Sequence, residues 1–87
     1  MKEIVTVTEV EGEGLESLLG EQVILFCMNF NYSGRLIGVS EKFCLLEDGA
    51  IVYETGSFTD KKWKDAQPVG KPLYVMLDKI ESFFQGK

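Results

Sequence analysis

The 87-residue chain contains no histidine. Serine–histidine and cysteine–histidine nucleophiles are therefore excluded within one chain, and so is any zinc site that needs an imidazole. Cysteine is sparse. Cys27 and Cys44 stand 17 residues apart, each inside an apolar run and neither with a CxxC partner. They read as reduced core thiols, because free cysteine packs as a small hydrophobe and a cytosolic context argues against a disulfide. Long apolar runs are missing too. No window approaches the roughly 18 residues of a membrane-spanning helix. Met1-Lys2-Glu3-Ile4 lacks the basic and apolar regions of a signal peptide. The expectation is a cytoplasmic protein with no membrane partner. Nothing in the pattern implies a cofactor or a metal.

Positive charge is the next shortage. There are 9 basic and 14 acidic residues, a net charge of -5. Residues 1–21 carry Glu3, Glu9, Glu11, Glu13, Glu16 and Glu21 against Lys2 alone, whereas acids and bases balance over residues 22–87. The excess weighs against unassisted binding to a long polyanion. A local basic site survives it, because fields decay over about 8 Å at physiological salt.

What remains is one small β-rich domain. A chain this short buries only about 60–65% of its unfolded surface, so help from a partner copy is expected. Residues 1–10 alternate Ile4, Thr6 and Thr8 against Val5 and Val7, and the stretch to residue 14 forms an acidic arm. Leu15, Leu18 and Leu19 lie at i, i+3, i+4, which predicts a short helix over 15–20 stopped by Gly20. Strands are predicted over 23–28, 32–39, 43–47, 73–77 and 80–84. Asp48-Gly49 fits either a two-residue hairpin turn or a bulge inside a longer strand reaching Tyr53. Residues 55–71 are polar and predict a long loop. Gly34 and Gly38 inside one strand suggest sharp bending. The predicted fold is mainly β: a small, strongly bent five-stranded barrel of the SH3-like or OB kind, spanning residues 21–84 behind a short N-terminal helix.

The order of elements resembles the Sm and Sm-like superfamily. A Leu-rich helix ends in glycine, a strand carries Gly34 and Leu36, and Leu45, Leu46 and Asp48 follow at the spacing of that family's first motif. The second motif corresponds to the stretch from Tyr74 through Asp78 and Lys79 to Ile80. The resemblance covers roughly residues 15–83 and rests mostly on apolar positions. It implies an Sm-like barrel, a homomeric ring closed by strand-edge pairing, and a role in RNA or DNA processing. The turn residues that read a base in that family correspond here to Ser40, Lys42 and Cys44, and the Arg-Gly or Lys-His of the second motif is absent. The resemblance therefore implies the scaffold without its familiar uridine pocket.

On that scaffold, Val75, Leu77, Ile80 and Phe83 are the expected oligomer interface. A head-to-tail contact that closes gives a cyclic assembly. Lys42, Phe43 and Lys79 would face the pore and hold a single strand of RNA or DNA. Lysines would track phosphates and the aromatic would stack on a base. The plainer account of this pair is a solvated turn lysine beside a core phenylalanine. Lys61, Lys62, Trp63 and Lys64 form the one dense basic cluster, with the single tryptophan inside it. That combination suits nucleic-acid contact, or else Trp63 packs its loop onto the barrel among solvated lysines. Glu41, Glu47 and Asp48 form no catalytic constellation, so no enzymatic activity is expected. The rival to nucleic-acid binding is a structural or protein-interaction module, such as a phage, viral or other assembly component.

Overall fold

The structure is a computed structural model that describes residues 14–87. The acidic arm up to residue 13, and with it the alternation over residues 1–10, lies outside the described residues. A 3₁₀ turn at Leu15–Leu18 leads into six antiparallel strands: β1 (Gln22–Cys27), β2 (Asn31–Val39), β3 (Phe43–Glu54), β4 (Asp65–Pro68), β5 (Leu73–Met76) and β6 (Ile80–Gln85). A second 3₁₀ turn, Leu77–Lys79, joins β5 to β6.

The predicted N-terminal helix is only this four-residue turn. Gly20, at φ 89°, ends it and reverses the chain. The Gly20 N–H then donates to the Leu36 carbonyl at 2.7 Å, and the Leu36 N–H donates to the Glu21 carbonyl at 2.9 Å. Leu15 and Leu18 are thereby laid against the core, while Leu19 stays exposed.

The strands form one open sheet in the order β4-β3-β2-β1-β6, and β5 pairs with the other half of β3. Two differences from the sequence reading follow. The described residues form six strands rather than five, because residues 65–68 of the expected loop pair with the end of β3. The sheet is also not closed: neither β4 nor β5 pairs with β6.

Both differences trace to β3. Its twelve residues are twice a usual strand and are bent in the middle. Ser33 faces Ala50 and Arg35 faces Glu47, so Asp48 and Gly49 together stand opposite Gly34. This two-against-one arrangement is a β-bulge, and it resolves the Asp48-Gly49 alternatives in favour of one long strand. Asp48 adopts φ 54°, a left-handed conformation that aspartate tolerates better than most residues. A Cβ on Gly34 would lie 3.0 Å from the Leu46 Cβ and 3.1 Å from the Gly49 Cα, so the crossing is close enough to require glycine. Before the bulge β3 pairs with β5, and after it with β4.

Val23, Leu25, Cys27, Leu36, Cys44, Leu46 and Val75 form one buried cluster. Each aliphatic member contributes about 1.5–3 kcal/mol by leaving water. β1 is buried on both faces, since Ile24 is also fully enclosed. Gly86, whose N–H donates to the Gln22 carbonyl at 2.8 Å, lies against Ile24, and Phe58 of the 55–64 loop lies 6.3 Å from the Phe26 ring. A Cβ on Gly86 would lie 3.2 Å from Ile24 and 3.4 Å from the Trp63 ring.

Candidate nucleic-acid interface

Ser40 builds the β2–β3 turn. Its N–H donates to the Phe43 carbonyl at 2.8 Å, and its hydroxyl accepts from the N–H groups of Lys42 and Phe43 at 3.3 and 3.2 Å. Lys42 is held at the tip, where its carbonyl accepts the Leu77 N–H at 2.9 Å. That bond fastens the second 3₁₀ turn to the hairpin. The Met28 N–H in turn donates to the Lys79 carbonyl at 3.1 Å. The backbone thus gathers Lys42, Phe43 and Lys79 at one end of the sheet.

The same pairing adds residues that sequence reasoning missed. Phe43 pairs with Met76 and Leu45 with Tyr74. Cys44 and Val75 alternate inward, so Phe43, Tyr74 and Met76 share the outward face. The Phe43 and Tyr74 rings meet edge to face at 5.2 Å and 77°, and they are 37% and 59% exposed. Period-two alternation around Val75 is the signal that places Tyr74 outward. The ion pairs among the described residues are Arg35–Glu47 and Lys64–Glu54, so Lys42 and Lys79 are engaged in neither. Chemically, this is an exposed edge-to-face aromatic pair at the end of the sheet that also carries two lysines outside those ion pairs.

Lys61, Lys62, Trp63 and Lys64 are not brought to that surface. The Trp63 indole N–H donates to the Ser33 hydroxyl at 3.0 Å, and Ser33 is only 3% exposed. The Trp63 ring meets Phe58 edge to face at 6.1 Å, and Phe58 adjoins Phe84 at 5.8 Å and Phe26 at 6.3 Å. The Lys87 ammonium lies 4.5 Å from the centroid of the Trp63 ring. It also donates to the Ser57 and Lys62 carbonyls at 2.8 and 3.1 Å. Trp63 therefore pins its loop over β1 and β2, and one face of it is covered by a cation. Lys61, Lys62 and Lys64 surround it as exposed side chains. Lys64 approaches Glu54 at 3.9 Å with both side chains more than half exposed, a pair that contributes little.

The residues expected at a subunit interface divide. Val75 is 4% exposed and belongs to the protomer's own core, so its side chain is not free for a neighbour. Leu77 and Ile80 are half-buried against that core. Phe83 is exposed, as are Tyr74, Met76 and Phe84 nearby in sequence. Among the described residues β5 pairs only with β3 and β6 only with β1, which leaves each with one backbone edge unpaired by those residues.

The base-reading positions implied by the resemblance do not assemble into a pocket. The Ser40 hydroxyl is spent on its own turn and Cys44 is fully buried. Burial pushes the Cys44 thiol up to about 11, with a smaller contribution from Cys27. Burial also raises Cys27, aided by Glu81, and raises Tyr32, aided by Cys27 and Tyr53. Both cysteines are free, and at neutral pH neither presents a thiolate. Among the described residues no three His, Cys, Asp or Glu side chains are placed to hold a metal ion. No helix there is long and apolar enough to cross a membrane. A scan against models of known families, a search of curated proteins and a search of solved structures each find no match.

Proposed function

We propose that the chain is an Sm-like module that assembles head to tail into a homomeric ring and holds single-stranded RNA or DNA without catalysis. The observation that carries the binding half is the convergence of Phe43 and Tyr74 with Lys42 and Lys79. Stacking contributes about 1–3 kcal/mol per base, and lysines at its border supply phosphate contacts. The ring half is supported by the edges of β5 and β6 that are unpaired among the described residues and by the exposed Phe83 on β6. Edge pairing would remove two aggregation-prone edges per subunit and repeat a weak site around an axis, which raises avidity.

Fluorescence anisotropy of labelled single-stranded oligomers tests the reading. The expected result is saturable binding that weakens as salt rises. Replacing Lys42 and Lys79 together by Glu should abolish it while the solution mass of the protein stays unchanged. No binding at low salt contradicts the reading.

The rival is a protein-assembly module on the same sheet. It is favoured by the net charge of -5 and by the many exposed apolar side chains, Met28, Phe30, Tyr53 and Phe58 among them. An oligomer that ignores every oligonucleotide would support it.

A further inference from the structure

A groove of about 630 Å³ runs between the first 3₁₀ turn, the tip of the β2–β3 hairpin and the start of β6. That volume lies within the range of sites that accept ligands, about 300–1,000 Å³. Its floor is apolar: Leu15, Val39, Leu77, Ile80 and Phe83. Three carboxylates, Glu16, Glu41 and Glu81, line it as well. Among the described residues none of the three is in an ion pair, and no lysine or arginine lines the groove. Lys42 and Lys79 adjoin it in sequence without lining it. Phe43, Tyr74 and Met76 do not line it either, so the groove is separate from the aromatic surface proposed for nucleic acid.

We infer that this groove docks a peptide segment of a partner protein in which apolar side chains alternate with lysine or arginine. An apolar floor edged by unpaired carboxylates suits such a segment on both counts. The floor gains from burying apolar side chains, and the carboxylates meet cations of opposite sign, which favours this partner over others. A nucleic acid fits badly, because its phosphates would face three negative side chains. The inference uses a surface other than the aromatic one, but the groove shares Leu77, Ile80 and Phe83 with the expected subunit interface, so a ring seam that covers it would exclude the peptide.

The test uses the whole chain and fluorescein-labelled synthetic peptides: one alternating leucine with lysine, one alternating serine with lysine, and one alternating leucine with glutamate. The leucine–lysine peptide should bind saturably, and the other two at least about fivefold more weakly. Replacing Glu41 and Glu81 together by Gln should weaken its binding by about fivefold or more. Phe83→Ser, read at a solution mass unchanged from the parent's, should do the same through the floor. The carboxylates are exposed, so circular dichroism of the double variant should match that of the parent. Equal binding of the serine–lysine peptide would reduce the effect to net charge and overturn the inference. Binding that is indifferent to all three substitutions, or absent, would overturn it too. Displacement of the peptide by a single-stranded oligonucleotide would also overturn it, by assigning the groove to nucleic acid.

Discussion

Cys44 is the residue whose environment has the clearest consequence. Its thiol titrates near 11 in the folded chain against an ordinary value of 9.0. The folded state therefore holds that proton more tightly than the unfolded one. The contribution is fully present below pH 9 and is lost as pH climbs toward 11. At about 1.4 kcal/mol per unit of pKa, the loss is of order 2–3 kcal/mol. Urea melts between pH 8 and 11 should show stability falling across that window, and Cys44→Ala should flatten the fall at a cost from the cavity it leaves. Trp63 offers a second residue-scale test. Trp63→Phe keeps most of the packing on Phe58 and removes the hydrogen bond to Ser33. It should cost about 0.5–1.5 kcal/mol, the net contribution of one hydrogen bond, because the Ser33 hydroxyl still donates to the Lys87 carbonyl at 3.3 Å. Ser33→Ala combined with Trp63→Phe should cost less than the sum of the two single changes. The sequence identified the two lysine-bearing segments as basic and aromatic. It did not indicate that Trp63 is spoken for, since Ser33 is 30 residues away and has no local signature.

Among the elements, β1 and β2 were legible to within one residue, because apolar runs bounded by Gly20 and Asn29 are strong local signals. β4 was not. Asp65–Pro68 has no apolar alternation and carries a proline, features that normally argue against a strand. It forms because the second half of β3 supplies a template and Pro68 sits at the strand's end. The short helix expected from Leu15, Leu18 and Leu19 shrank to a 3₁₀ turn, because Gly20 reverses the chain before a second turn can form. The bulge at Asp48 and Gly49 could be narrowed to two alternatives by sequence, but only the pairing partner Gly34 decides between them. That crossing yields a prediction. Gly34→Ala should lower stability by about 1–3 kcal/mol through overpacking against Leu46 and Gly49. Gly38→Ala, where the nearest atom would be 3.6 Å away, should change stability by less than about 1 kcal/mol. Thermal melts of the two variants compare them directly.

For the whole molecule, the β-rich class was legible in the sequence, and the closure of the sheet was not. Closure depends on whether the ends of a bent sheet reach one another, a long-range property that alternation does not encode. Among the described residues the open form leaves β5 and β6 each with an unpaired edge, and the proposed ring uses them. Sedimentation should therefore give a mass several times the 9.8 kDa of one chain. A proline at Glu81 or Phe83 should lower that mass if the β6 edge is paired between copies. A monomeric parent protein would remove the ring from the account.

The most direct test of the account locates the nucleic acid itself. Single-stranded RNA and DNA carrying a photoreactive base should be irradiated with the protein at low salt, and the crosslinked residues identified by mass spectrometry. The account predicts crosslinks at Phe43 and Tyr74, lost when Lys42 and Lys79 are both replaced by Glu. Crosslinks confined to Phe58 and the segment around Trp63, or none at all, would contradict it.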